Sequence, residues 1–363
     1  MKISKVLALC LSPDKGGLEL YIIKLFQHYK GSSHDLHIGC SKNSYISENV
    51  DDNKIECTNR GIFKTAINFF ILRRYIITNK INILHVSWSK DLLLAVMLKL
   101  LMSKNIKIIF YRQMKIPRPK KSFYHKIFYK NIDLFLVITD KLKDEACRYL
   151  PIDNDKIKKL VYGISKPSSA IELDTPNFLK STNLDSEEFS IGIFSRVEEQ
   201  KGQHLVLEAM NISSNQMNAY VIGHVMSNQY KKRLLEIAKK YKLTQHLKFI
   251  KFLDSPMSCM PFFDLVILPT YEETFGLVAA EAMIMGVPVI GSNAGGVPEV
   301  ISHGSTGLLF ETKDARDLSE KIDMIFENKS LRDKFIFNAS KFARTEYNYN
   351  KHFDRLDELI NSI

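Results

Sequence analysis

The chain has 363 residues, of which 45% are hydrophobic, and its formal net charge at pH 7 is +11. This length exceeds one typical domain and fits two, each with enough apolar residues for a full core. No run reaches the roughly 18 apolar residues of a membrane-spanning helix. The five cysteines are scattered and odd in number: Cys10, Cys40, Cys57, Cys147 and Cys259. This pattern argues against a disulfide framework and against a cysteine metal site, and it favours a reducing compartment.

Short apolar runs alternate with amphipathic stretches through the first half of the chain. The pattern predicts strands at 6–11, 36–40, 83–86, 106–111, 134–139 and 157–161. It predicts helices at 17–29, 63–78, 92–101 and 141–149. Such alternation is typical of βαβ units and therefore of a parallel sheet. We expect a first Rossmann-like domain over residues 1–165.

The segment 166–188 is polar, contains proline and shows no sustained periodicity, so we interpret it as a linker. The alternation then restarts, with strands at 189–194, 219–222, 247–252, 265–270 and 287–291 and helices at 203–210, 230–241 and 315–327. This predicts a second Rossmann-like domain at 189–345 and a final helix within 346–363 that packs back on the first domain. The fold class is α/β, with two doubly wound domains facing a cleft at the carboxyl ends of their strands.

Two carboxylates stand eight positions apart in the most informative run of the chain. Glu273 ends a buried strand, and Glu281 lies in the following helix, which Gly286 ends. The residues between them, Thr274-Phe275-Gly276-Leu277, enter that helix, and the backbone N–H groups of a helix start can hold an anion. A carboxylate on each side of an anion cradle suits a sugar nucleotide, which has hydroxyls at both ends and a diphosphate between them.

Two cations flank the turn after the first strand of the second domain. Arg196 and Lys201 stand where that strand would meet its helix, and cations at this position can neutralise a diphosphate leaving group. The alternative is that two surface cations happen to flank a turn. The Glu273 run in the same domain favours the functional interpretation.

A glycine pair, Gly16-Gly17, follows the first strand of the chain. It lets backbone approach a ligand and opens a helix whose start favours anions, although an ordinary strand-to-helix turn explains it equally well. The run is not the Gly-x-Gly-x-x-Gly dinucleotide fingerprint. His85 stands near the end of another predicted strand, where it is either a ligand-binding side chain or a satisfied structural one.

Residues 92–132 carry ten basic side chains and no acidic one. The ten are Lys99, Lys104, Lys107, Arg112, Lys115, Arg118, Lys120, Lys121, Lys126 and Lys130. Aromatic residues are interleaved with them, which suits an anionic membrane surface or an anionic acceptor. A solvated loop and helix, or a nucleic-acid surface, would show the same pattern. We favour the membrane or acceptor interpretation and expect no nucleic-acid partner.

These motifs, in this order, resemble the family 4 glycosyltransferases, which are retaining enzymes of the two-domain GT-B fold. The resemblance rests on Arg196 with Lys201-Gly202, on the run from Glu273 to Glu281, and on Gly286-Val287-Pro288 with Gly295-Gly296-Val297-Pro298-Glu299. It implies that Glu273 holds the donor sugar, that Glu281 holds ribose hydroxyls, and that Arg196 and Lys201 bind the diphosphate. Backbone from Phe275 to Leu277 would hold phosphate, and Gly16-Gly17 would contribute to the donor site.

The chain departs from the family pattern at three places on the acceptor side. Ser87 stands where many members carry a second His, Tyr111-Arg112-Gln113-Met114 replaces another His neighbourhood, and Tyr162-Gly163-Ile164-Ser165 replaces Asn-Gly-x-Asp. The reaction class is unaffected, but the sugar and the acceptor are left open. His85, Arg112 and Gln113 are the acceptor-side candidates.

The sequence thus predicts a retaining glycosyltransferase that moves a sugar from a nucleoside-diphosphate donor to a saccharide acceptor. The acceptor is expected to be lipid-linked or of lipopolysaccharide, capsule or O-antigen type. We expect no metal and no cofactor beyond the donor, and a cytoplasmic protein held peripherally on the inner face of the membrane. Two alternatives remain: a Rossmann-type oxidoreductase and a basic nucleic-acid-binding protein.

Overall fold

A computed structural model describes residues 4–30, 34–58, 61–102, 105–167, 188–251 and 255–363, with the single positions 178, 184 and 253. The chain forms two compact units, Met1–Val161 with Asn350–Ile363 and Tyr162–Tyr349. Most of the predicted linker, 166–188, lies outside the described residues. No helix in the described part of the chain combines the length and apolar composition needed to cross a bilayer.

The first unit is built on a parallel sheet with strand order β3-β2-β1-β4-β5-β6-β7. The strands are β1 Lys5–Cys10, β2 Asp35–Ser41, β3 Lys54–Cys57, β4 Ile83–Val86, β5 Lys107–Arg112, β6 Leu134–Val137 and β7 Ile157–Lys159. Its helices are α1 Gly17–Tyr29, α2 Tyr45–Asn49, α3 Ile62–Asn79, α4 Leu92–Leu101, α5 Phe123–Lys130 and α6 Asp140–Tyr149. Near-continuous apolar strands such as β1 are buried on both faces, as parallel strands require.

The second unit has a parallel sheet of order β10-β9-β8-β11-β12-β13. The strands are β8 Phe189–Phe194, β9 Met217–Ile222, β10 Leu247–Ile250, β11 Leu265–Leu268, β12 Val289–Ser292 and β13 Leu308–Phe310. The helices are α7 Gln203–Ile212, α8 Asn228–Lys240, α9 Pro256–Cys259, α10 Leu277–Met285, α11 Val297–Val300, α12 Ala315–Glu327 and α13 Lys329–Glu346. The predicted α/β class with doubly wound parallel sheets is confirmed, and α10 ends at Gly286 as predicted.

The last helix, α14 (Tyr349–Asn361), belongs to the first unit from Asn350 onward and contacts α1 through a few side chains. His352 Nδ1 donates to the Val161 carbonyl at 2.6 Å, which leaves Nε2 to accept from the Tyr21 hydroxyl at 3.2 Å. The rings of His28 and Phe353 stack with centroids 3.8 Å apart. The helix is therefore attached by polar and aromatic contacts to the element that begins at the Gly16-Gly17 turn.

Burial lowers the pKa of both His85 and His352 to about 4, below the ordinary value of 6.5. Between these values the unfolded chain binds more protons than the folded one. The contribution of the two neutral imidazoles to the free energy of unfolding is therefore complete above about pH 6.5. It is lost as the pH falls toward 4, by up to ~1.4 kcal/mol per pH unit for each imidazole.

We expect His352→Gln to destabilise the protein more at pH 7 than at pH 5, because the variant no longer has an imidazole to protonate at position 352. Denaturant unfolding of wild type and variant at both pH values measures this difference. A stability difference that does not change with pH would contradict the prediction.

Candidate functional site

The second sheet reverses its winding direction between β8 and β11. From β8 the chain crosses to β9 on one side, whereas from β11 it crosses to β12 on the other. Parallel α/β sheets bind ligands at the carboxyl ends of strands beside such a switch point. A cavity of about 240 Å³ lies there, and its lining includes Arg196, Lys201, Thr270, Glu273, Leu277 and Val278. The sequence predicted four of these six as donor-site residues.

Lys201 and Glu273 form the central contact of this cavity. Lys201 Nζ donates to Glu273 Oε2 at 2.8 Å, and the two side chains are 19% and 30% exposed. Glu273 Oε1 also accepts from the Thr274 N–H at 3.3 Å. Arg196 is more exposed, at 58%, and pairs with Glu198 at 3.0 Å. The cavity thus holds two cations, which suit a diphosphate, and one carboxylate, which can accept hydrogen bonds from sugar hydroxyls.

The loop after β12 fixes the backbone of Glu273. The Gly296 N–H donates to the Glu273 carbonyl at 2.8 Å. Gly295 has a φ of +63°, and a Cβ built on it would lie 1.8 Å from the same carbonyl oxygen. Only glycine therefore fits at position 295, both for its backbone conformation and for its close approach to Glu273. The glycine pair positions the carboxylate although it does not line the cavity.

Helix α10 directs its amino end toward the cavity. Gly276 precedes it with a φ of +94°, and the first helical residues, Leu277 and Val278, line the cavity. The first N–H groups of a helix have no partner within it and favour an anion. Glu281 lies one turn further on and is half-buried, on the same helix face as Leu277. Phe275 is buried, so its contribution to this site is limited to backbone.

Sequence reasoning assigned no role to two residues that support this site. Gln203, the first residue of α7, is buried and donates from Nε2 to the Arg196 carbonyl at 2.8 Å and to Ser195 Oγ at 2.9 Å. Tyr162 packs edge-on against Phe275, with ring centroids 5.5 Å apart, and burial together with the nearby Glu273 charge raises the pKa of its phenol. Gln203 could have been noticed in the sequence, because it is a polar residue at the first position of an otherwise largely apolar helix.

The acceptor-side candidates, His85, Arg112 and Gln113, lie at the switch point of the first sheet and on its neighbouring strand, and the predicted donor-site pair Gly16-Gly17 stands at the same switch point. Gly16-Gly17 follows β1, and His85 lies near the end of the adjacent β4. His85 is buried, and its low pKa makes it a neutral imidazole at pH 7. Arg112, the last residue of β5, is buried and donates to the Lys115 carbonyl at 2.6 Å, and Gln113 is buried beside it.

The basic segment does not present all of its cations to solvent. Lys99 Nζ contacts Asp133 Oδ2 at 2.5 Å, and Lys107 lies 3.5 Å from Oδ1 of the same carboxylate. Arg112 is buried as described above, and Lys104 lies outside the described residues. Only part of the basic segment can therefore meet an anionic partner, because Asp133, just beyond the segment, pairs with Lys99 and Lys107. The exposed or half-buried cations that do not pair with Asp133 are Lys115, Arg118, Lys120, Lys121, Lys126 and Lys130.

Among the described residues, no three His, Cys, Asp or Glu side chains are grouped so that they could hold a metal ion. The sequence contains one Asp-x-Asp run, Asp153-Asn154-Asp155. It lies just before β7 and therefore at the amino end of that strand, opposite to the edge that carries His85 and Arg112.

Comparison with known proteins gives two adjacent family matches. Residues 15–164 match glycosyltransferase family 4, and residues 174–342 match the glycosyl transferases group 1. The O-antigen biosynthesis glycosyltransferase WclY of Escherichia coli is 25% identical over 97% of this chain and 99% of its own length. The match to the uncharacterized glycosyltransferase MJ1607 of Methanocaldococcus jannaschii, at 26% identity, covers 59% of this chain and 56% of the relative.

The fold also recurs among solved structures. Anabaena Alr3699/HepE, crystallised in complex with UDP, superposes with a TM-score of 0.85 over 99% of this chain and 100% of its own, at 19% identity. This similarity supports the fold, that of the GT-B enzymes. The two family matches together span most of the sequence, and the chain therefore belongs to the family 4, group 1 glycosyltransferases.

Proposed function

We propose that this enzyme is a retaining glycosyltransferase that takes a sugar from a nucleoside-diphosphate donor and transfers it to a saccharide acceptor of capsule or O-antigen type. The observation that carries the donor assignment is the Lys201–Glu273 pair beside the amino end of α10, at the switch point of the second sheet. The acceptor class is supported by WclY and by the capsular polysaccharide biosynthesis glycosyltransferase CapM of Staphylococcus aureus, which is 25% identical over 63% of this chain.

The cavity can stabilise the departing diphosphate. As the bond between the anomeric carbon and the phosphate oxygen breaks, negative charge grows on the phosphate, and Lys201, Arg196 and the N–H groups of Leu277 and Val278 are placed to receive it. Glu273 would accept hydrogen bonds from sugar hydroxyls. The acceptor oxygen bonds to the anomeric carbon, and its proton can pass to the leaving phosphate, so no side chain is assigned as base.

Thermal stabilisation of the protein by a panel of nucleotide sugars tests the donor class. We expect one or more nucleoside-diphosphate sugars to raise the melting temperature, since a ligand that binds only the folded state stabilises it. Stabilisation by nicotinamide dinucleotides, or only by nucleic acid, would instead support the oxidoreductase or the nucleic-acid-binding alternative.

Removal of either cation should weaken binding of the free nucleoside diphosphate. We expect Lys201→Ala to have the larger effect, because Lys201 is the more buried cation and a charged hydrogen bond contributes about 1.5–3 kcal/mol. Arg196→Ala should have the smaller effect, because more solvent surrounds its guanidinium. Calorimetric titration with the diphosphate and with the matching monophosphate measures both.

Two matched variants control for the loss of an ion pair alone. Lys321 is also 19% exposed and lies 2.9 Å from Asp317, and Arg355 is 54% exposed and lies 2.6 Å from Glu358. Lys321→Ala and Arg355→Ala should leave nucleotide affinity unchanged. Equal losses for the diphosphate and the monophosphate in Lys201→Ala would argue against contact with the distal phosphate.

We further propose that the protein works in the cytoplasm at the inner face of the membrane, with an acceptor held there by a lipid. The support is the charge asymmetry of the chain, since residues 1–180 carry 31 Lys and Arg against 16 Asp and Glu. The exposed cations between Lys115 and Lys130 are the part of the basic segment that can meet anionic headgroups.

A further inference from the structure

Three neighbouring helices of the first unit expose large apolar side chains. Helix α4 contacts both α3 and α5, so the three lie side by side. Phe63 is 87% exposed, Phe123 is 79% exposed and Phe70 is 66% exposed. Smaller contributions come from Ile67, Ile77, Leu93, Leu100, Leu101, Tyr124 and Ile127. We call the outer surface of α3, α4 and α5 the three-helix face.

The exposed side chains on α3 form one stripe. Phe63, Ile67, Phe70 and Ile77 follow helical spacing of four, three and seven residues, which places them on one side of the helix. That side is not the buried one, because Leu72 and Ile76 fill the core. The stripe is therefore a second apolar face, separate from the one that α3 uses to pack on the sheet.

The three-helix face is also uniformly basic. Residues 61–80, 92–102 and 114–130 together contain eleven Lys and Arg and no Asp or Glu. Lys64 is adjacent to Phe63, and Lys121 and Lys126 lie on either side of Phe123 in sequence. Apolar side chains surrounded by cations complement a bilayer of anionic lipids, in which headgroups attract the cations and the acyl region accepts the rings. A second copy of this face would repel the first.

Each of the three helices has an exposed apolar side chain near one edge of the first sheet, whereas Phe70 lies further along α3. Phe63, Leu93 and Phe123 stand in the first turns of α3, α4 and α5. Helices that connect parallel strands start at the carboxyl edge of the sheet, because each leaves the end of one strand and returns to the start of the next. His85 and Arg112 stand at that same edge.

We propose that the three-helix face binds the surface of an anionic phospholipid bilayer and inserts Phe63, Phe70 and Phe123 into it. Membrane contact then involves apolar insertion by α3 as well as the basic segment, and it brings the carboxyl edge of the first sheet to the lipid. This deepens the proposed function, on which it rests: the acceptor saccharide is linked to a lipid of the bilayer that the face binds.

Sedimentation with vesicles tests the proposal. The full chain should sediment with vesicles that contain 30% phosphatidylglycerol in phosphatidylcholine and far less with pure phosphatidylcholine. The triple variant Phe63→Ser, Phe70→Ser, Phe123→Ser should bind the anionic vesicles at least tenfold more weakly. Its residual binding should disappear at 0.5 M salt, whereas the wild type should retain a salt-resistant fraction, because screening removes only the electrostatic part.

The control variant is Phe337→Ser, which removes a 69% exposed ring from α13 in the second unit. It should sediment like the wild type. Unchanged thermal stabilisation of the triple variant by the donor nucleotide would show that its fold and donor site are intact. A failure of donor binding in the wild type would count against the proposed function, not against the lipid surface.

Two outcomes would overturn the proposal. One is equal vesicle binding by the triple variant and the wild type. The other is absence of wild-type binding to anionic vesicles combined with a concentration-dependent dimer that the triple variant abolishes, which would assign the face to a second copy of the chain.

Discussion

Glu273→Gln is expected to reduce sugar transfer by roughly 30- to 150-fold while the fold remains intact. Glutamine keeps the size of the side chain and removes its charge, and the loss of one charged hydrogen bond to the donor sugar costs about 2–3 kcal/mol in the transition state. Steady-state transfer rates at saturating donor measure the effect, and the melting temperature reports on the fold.

Glu272→Gln is the matched control for this variant. Glu272 is the exposed neighbour of Glu273, outside the lining of the cavity. The Glu272→Gln variant should transfer sugar at the wild-type rate. The role assigned to Glu273 would be wrong if both variants kept full activity.

Gly295→Ala is expected to lower both activity and stability. The new Cβ would collide with the Glu273 carbonyl oxygen, so the loop that carries the carboxylate must move. A displacement of about 1 Å at a catalytic group can cost on the order of 100-fold in rate. The positive φ adds strain of about 1–2 kcal/mol for any residue with a Cβ. Transfer assays and denaturant unfolding measure the two losses.

Gly304→Ala separates the collision from the strain. Gly304 has a similar φ of +73°, but a Cβ built there meets nothing within 4 Å. This variant should therefore show the strain alone and keep its activity. If Gly295→Ala were no more damaging than Gly304→Ala, the glycine pair would not be positioning Glu273.

Much of the fold was predictable because parallel strands and amphipathic helices leave strong periodic signals. Helix α1 and strands β4 and β8 begin and end where the sequence pattern placed them. Strand β3 was missed because Lys54 and Glu56 interrupt its apolar run, and helix α2 was missed because five residues are too few to show a helical period.

The proximity of the donor-side residues was predictable, because loops that leave adjacent parallel strands meet at one edge of the sheet. This rule placed Arg196, Lys201 and Glu273 in one region, and the structure has them lining one cavity. The support from Gly295 could not be predicted, because it depends on how closely a third loop approaches. The residue roles in catalysis remain predictions.

The surface of the first unit was harder to interpret from sequence. Asp133 stands just outside the basic segment, and the pairing of β5 with β6 brings it to Lys99 and Lys107. The pattern of residues 63–78 predicted an amphipathic helix without saying which side chains are covered, and Phe63 and Phe70 prove to be exposed. A helix with two apolar faces has no periodicity that tells which one is covered.

The ion pair between Lys201 and Glu273 has a consequence for turnover. Without a donor, each side chain already satisfies the charge of the other, so neither waits in the cavity as an isolated ion. In the proposed function, the nucleoside diphosphate that remains after transfer has no sugar for Glu273 to bind. The carboxylate then competes with the phosphate for the ammonium group of Lys201. We expect Glu273 thereby to accelerate departure of the nucleotide product, and the cavity to return to the ion pair that it holds without a donor.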